Sequence, residues 1–105
     1  MISEERFLDF IGWICKRPKL YTRSGSFIEA IMFLEGYALG AGVEGAENYH
    51  SKFTPFKKWA AAKFRNGDTF PLNWDEFLDH FSSESEALNQ LPILYAEYAR
   101  GKESA

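Results

Sequence analysis

Between Ser26 and Gly40 almost every residue is apolar: Phe27, Ile28, Ala30, Ile31, Met32, Phe33, Leu34, Tyr37, Ala38 and Leu39. Ser26, with Glu29 three residues on, forms a capping-box pair directly before this run. A helix that is apolar on every side belongs at the centre of its fold. The pattern therefore predicts a buried central helix over residues 26–39, ended by Gly40 or Gly42. The rest of the chain has to pack around it.

Four further helical segments can be read, and no stretch shows convincing strand alternation. The first runs from about Glu4 to Arg17, with Ser3 as N-cap and Pro18 disfavouring continuation. Phe7, Phe10, Ile11 and Ile14 give its apolar stripe, and Leu8, Trp13 and Cys15 widen it. Residues 41–53, with Gly42 and Gly45, read as a loop or frayed turn. Another helix is predicted to begin with Thr54 as N-cap and Pro55 at its first position, and to stop at Asn66-Gly67. A short one follows from Asn73, with Trp74, Phe77, Leu78 and Phe81 facing inward. The last begins near Ser83 and closes at Gly101, with Pro92 either kinking or dividing it. The expected fold is all-α: one compact bundle of about five helices over residues 1–101, with a frayed tail at 102–105.

At 105 residues the chain reads as one domain. Ten Phe, five Tyr and three Trp must mostly be core, because large exposed apolar patches are uncommon on soluble monomers. Cys15 is the only cysteine, so no internal disulfide can form, which fits a reducing compartment. The start, Met1-Ile2-Ser3-Glu4-Glu5-Arg6, is acidic and not a basic targeting region, and no apolar run is long enough to span a membrane. A cytoplasmic location is expected.

Charge is distributed unevenly. From Asp68 to Glu97 the ionised side chains are Asp68, Asp75, Glu76, Asp79, Glu84, Glu86 and Glu97, with no Lys or Arg among them. Most of the bases lie upstream, in Lys16-Arg17-Pro18-Lys19, Arg23, and Lys52, Lys57, Lys58, Lys63 and Arg65. A one-signed surface attracts opposite charge and repels its own. Asp75 and Glu76 also have a local reason to be acidic, since the first turn of a helix favours negative charge. Asp79 has none, and it follows Asp75 at a mildly unfavourable i, i+4 spacing. His80 is one turn from Glu76 and can pair with it. The net charge of −3 argues against general nucleic-acid affinity.

Signals for catalysis are weak. Glu47-x-x-His50 has the spacing of a helix-bundle di-iron ligand pair, but such a site needs that pair twice and two more glutamates. Glu76 with His80 has the wrong spacing, so neither metal nor cofactor is expected. Glu35, the one acid inside the central helix, is expected at the bundle edge or bonded to a Tyr or Trp. Cys15, His50 and His80 form no recognisable nucleophile series, and no phosphate-binding loop follows a strand. The chain is not expected to be an enzyme. Lys57, Lys58, Lys63 and Arg65 could touch phosphates, but their helix lacks residues suited to reading base edges.

Several segments together resemble a known group: Lys16-Arg17-Pro18-Lys19-Leu20-Tyr21, Ser24-Gly25-Ser26-Phe27, Phe33-Leu34-Glu35-Gly36-Tyr37, Phe56-x-x-Trp59 and Glu86-Ala87-Leu88. Their order, over about residues 13–100, resembles the small helical immunity proteins of bacterial polymorphic and contact-dependent growth-inhibition toxin systems. Arg17, Pro18, Tyr21, Gly36 and Tyr37 correspond to the shared pattern and read as structural. The resemblance implies an antidote that binds a cognate protein toxin. Many such toxins are basic nucleases, and an acidic surface would mimic their polyanionic substrate.

The expected function is therefore non-enzymatic neutralisation of a toxin by an acidic surface of Asp75, Glu76, Asp79, Glu84 and Glu86. Glu44 and Glu47 extend that surface if their loop lies beside it. No direct nucleic-acid or membrane partner is expected. Two alternatives stay open: a helical adaptor, which predicts an exposed apolar groove more than an acidic patch, and a nucleic-acid binder using the Lys57–Arg65 helix.

Overall fold

Capping signals set most of the helix starts. The computed structural model describes residues 2–43, 53–65 and 72–104, the last three by backbone alone. Its order is α1 (Glu4–Lys16), a 3-10 turn (Pro18–Leu20), α2 (Phe27–Ala41), α3 (Thr54–Phe64), α4 (Trp74–Asp79) and α5 (Glu84–Ser104). The expected all-α class is observed, with no strand among the described residues. One isolated parallel bridge joins Ile2 to Val43, tying the start of α1 to the end of α2.

Ser3, Ser26 and Asn73 each cap a helix, accepting from the amides of Arg6, Glu29 and Glu76. These bonds occupy amide hydrogens that have no partner within the helix. Ser83 does the same for the Glu86 amide at 3.1 Å. Gly42 ends α2 in the left-handed region at φ 70°, where a side chain would be strained. At α3 the expected cap is displaced: helix starts at Thr54, and Phe53 is the N-cap with no side-chain bond. Pro55 still falls in the first turn, where its missing N–H costs nothing.

α5 also differs from expectation at its end. It runs unbroken from Glu84 to Ser104, through both Pro92 and Gly101. Gly101 is thus not a helix stop.

The core forms where α1 packs along α5 and the other helices close around that pair. Phe7, Phe53 and Tyr95 meet edge-on or tilted, with centroids 5.7–6.0 Å apart. Phe56 then bridges Tyr95 to Phe77, and Phe77 stacks on Phe27 of α2. Offset and edge-on ring pairs favour this arrangement beyond the area they bury. Tyr95 is fully buried, and its hydroxyl donates to the Glu4 carboxylate at 3.1 Å. Burial above all, and next the charge of Glu4, push that phenol well above its ordinary range.

The central helix is not enclosed on every side. Phe27, Ala30, Ile31, Leu34 and Ala38 are buried. Ile28, Met32, Phe33 and Leu39 are exposed, Met32 by 65%. Trp13, expected to widen the α1 stripe, is 57% exposed. Among the described residues the other four helices do not surround α2, so its apolar outer face is left open.

Candidate functional site

The acidic residues of α4 and early α5 are mostly engaged inside the molecule. Arg65, at the end of α3, grips Glu76 with two nitrogens: Nε donates to Oε2 at 2.5 Å and Nη2 reaches Oε1. The pair is partly buried and bidentate, the geometry that suits guanidinium and carboxylate best. His80 does not need Glu76; its ring packs on Phe64 with centroids 4.2 Å apart. Glu86 accepts from the Ser82 hydroxyl at 2.6 Å.

Glu84 has a different task. Its carboxylate accepts from the Phe27 amide at 3.0 Å, across 57 residues of sequence. Phe27 is the first residue of α2, so a side chain from α5 completes the cap that Ser26 begins. A negative charge there also suits the helix dipole. Glu84→Gln is expected to lower stability by about 1 kcal/mol, because a charged acceptor becomes a neutral one. Urea denaturation of the two proteins checks this; equal midpoints would show that the bond carries no weight.

Asp75 and Asp79 remain. Both are exposed, and neither has a salt bridge among the described residues. The five expected site residues therefore share one region, around α4 and the turn into α5, but only two are left uncommitted. Glu44, Glu47 and His50 lie outside the described residues.

Part of the basic surface is likewise used internally. Lys63 bridges Glu97 at 3.1 Å and sits over the Trp59 ring, while Lys57 lies over Trp74. Of the α3 cations considered for phosphate contact, Lys58 is the exposed one with no such engagement among the described residues.

Among the described residues no group of His, Cys, Asp and Glu is placed to hold a metal ion. Cys15 is buried, and burial pushes its thiol up to about 12. A thiolate is the nucleophile, so native Cys15 is expected to react with a thiol reagent at pH 8 far more slowly than in denaturant. Timed labelling read by mass spectrometry checks this; equal rates would mean that the site opens freely. Among the described residues, no helix is long and apolar enough to cross a membrane.

A second region was not anticipated from the sequence. Phe10 stacks on Tyr37 at 4.0 Å and touches Trp13, Tyr21 and Phe33. This cluster joins α1, the 3-10 turn and α2 into a face from which Trp13, Leu20, Met32 and Phe33 emerge. Beside it are open clefts of about 420 Å³, lined by Arg17, Pro18, Lys19, Leu20 and Gly25, and about 460 Å³, lined by Tyr21, Thr22, Glu29, Met32 and Phe33. The available signal was α2 itself: a helix apolar all round in a chain with few helices to cover it. Of the residues read as structural, Pro18 opens the 3-10 turn and Tyr37 packs on Phe10. Gly36 faces open space instead.

The segment leading into this face is firmly held. Thr22 donates through its amide and its hydroxyl to the Pro18 carbonyl, both at 2.9 Å, and accepts from the Gly25 amide. Gly25 has φ 75°, and a Cβ there would lie 2.6 Å from Lys19 Cγ. Glu29 departs from the expected capping box: its carboxylate takes the amide and hydroxyl of Ser24, not the Ser26 amide. Those two bonds, and to a lesser degree Arg23, hold the Glu29 carboxyl below its usual range.

In comparisons with known proteins, no family model, no curated protein and no solved structure matches this chain.

Proposed function

We propose that this protein is a non-enzymatic antidote, an immunity protein that binds a cognate bacterial toxin and blocks it with an acidic edge. The supporting observation is the pair Asp75 and Asp79, exposed and without a salt bridge among the described residues. Glu86 lies exposed nearby in sequence, at the start of α5. Glu84 contributes charge there while capping α2, whereas Arg65 neutralises Glu76. A basic nuclease domain is the partner class that such an edge suits, because it must already bind a polyanion. The named group comes from the sequence resemblance; the exposed acids supply the chemistry.

The test avoids Glu84, whose reversal would disturb α2. Asp75→Lys combined with Asp79→Lys is expected to keep the helical content and slow toxin association by about tenfold at low salt. Added salt is expected to slow the wild-type association and to narrow the gap. Binding kinetics with a cognate toxin, and protection of cells that express it, give the readout. An unchanged on-rate with full protection would remove this edge from the interface.

A helical adaptor is the second reading. The exposed apolar face of α1 and α2 favours it.

A further inference from the structure

We infer that the face formed by α1, the 3-10 turn and α2 is a docking site for a protein segment that carries apolar side chains together with carboxylates. This names a partner chemistry for the adaptor reading and rests on it. It uses none of the residues of the acidic edge, so either can fail alone.

The apolar part comes from Trp13, Leu20, Met32 and Phe33. Leu20 and Met32 are 69% and 65% exposed. Exposed apolar side chains are ordinary when scattered; contiguous ones mark interaction surfaces. Ring contacts join Trp13 to Phe33: Phe10 touches Trp13, Tyr21 and Phe33, and Tyr21 touches Phe33 at 5.9 Å; Met32 lines a cleft with Tyr21 and Phe33, and Leu20 ends the 3-10 turn beside Tyr21. Phe10 and Tyr37 support the platform from below, partly buried. The hydrogen bonds of Thr22 and Glu29 hold the adjoining turn. A surface already rigid loses little freedom on binding, and Trp, Tyr and Arg are the residues that most often carry interface energy.

Charge selects the partner. Lys16, Arg17, Lys19 and Arg23 are all exposed around this face. Nearby carboxylates are three: Glu29, occupied by Ser24, Asp9, one turn before Trp13 on α1, and Glu35, one turn after Met32 on α2. The rim is therefore net positive although the chain is net negative at −3. A partner with carboxylates beside its apolar anchors is steered to it, and a basic one is repelled.

Leu20, Met32 and Phe33 line two shallow, open clefts of about 420 and 460 Å³. The carboxylates of Asp9, Glu29 and Glu35, set among the bases, disfavour an anionic lipid surface. A second copy of this chain is disfavoured by charge. A two-fold contact uses the same patch on both subunits, which sets one positive rim against another.

The probe is a random peptide library displayed on phage and selected on the intact chain. Enriched peptides are expected to combine aromatic or aliphatic residues with Asp or Glu. Titration calorimetry of synthetic copies is expected to show affinity falling about tenfold or more with Met32→Asp or Leu20→Asp, and with Lys19→Glu plus Arg23→Glu. Both apolar sites are well exposed, so at least one Asp variant is expected to keep its helical circular dichroism. Four results overturn the inference: no enrichment; enriched peptides without carboxylates; binding that survives both Asp variants; or, in place of peptide binding, association that either Asp variant abolishes. That last association would be with phosphatidylcholine–phosphatidylserine vesicles or between copies of the chain in sedimentation velocity.

Discussion

Phe56→Ala is expected to cost about 3–5 kcal/mol of folding stability. Phe56 is fully buried and touches six aromatic rings: Phe53, Trp59, Trp74, Phe77, Tyr95 and Tyr98, with centroids 5.4–6.5 Å away. Removing it takes away the ring through which α3, α4 and α5 meet. Large neighbours cannot move into that space without breaking their own contacts, so most of the cavity remains. A domain of this size typically has only 5–15 kcal/mol in total, so the variant is expected to be partly unfolded at physiological temperature. Thermal and chemical denaturation followed by circular dichroism give the measurement. A loss below about 1 kcal/mol would mean that α3 does not pack as described.

The second large effect is a contrast between neighbours. Leu34→Ala is expected to cost about 2–5 kcal/mol, since Leu34 is fully buried in the core. Phe33→Ala is expected to cost about 1 kcal/mol or less, since Phe33 is 38% exposed. The same denaturation experiment reads both. Equal losses would place both faces of α2 under cover and would remove the exposed apolar surface on which the docking inference depends.

Phe33 also shows where sequence stops informing. Periodicity identifies α2 and its cap, because those are properties of neighbouring residues: Ser26 caps the Glu29 amide as its position suggests. Which sides of an all-apolar helix are covered depends on how many other helices reach it, and that is a tertiary fact. Pro92 is similar. A proline in a helix interior removes one hydrogen bond, yet α5 continues past it, held by its buried face of Leu88, Leu91, Leu94 and Tyr95. The acidic run was legible as composition but not as a surface. Asp75 and Asp79 stay exposed, whereas Arg65 folds back on Glu76 and Glu84 reaches α2, pairings 11 and 57 residues apart in the chain. No local pattern announces partners at that distance.

The bond between Tyr95 and Glu4 spans 91 residues of sequence, and this separation has a consequence for how the molecule is made. α1 leaves the ribosome before every other helix described here, and the helix it packs along, α5, leaves after them all. At about 5–20 residues per second, the stripe of Phe7, Ile11 and Ile14 waits roughly 5–20 s for its lid. Throughout that interval the apolar stripe of α1 is covered only in part, by α2 and Phe53 once they emerge. The nascent chain is expected to be a client of holding chaperones until its final turns emerge, and truncations within α5 are expected to aggregate instead of giving a smaller folded core.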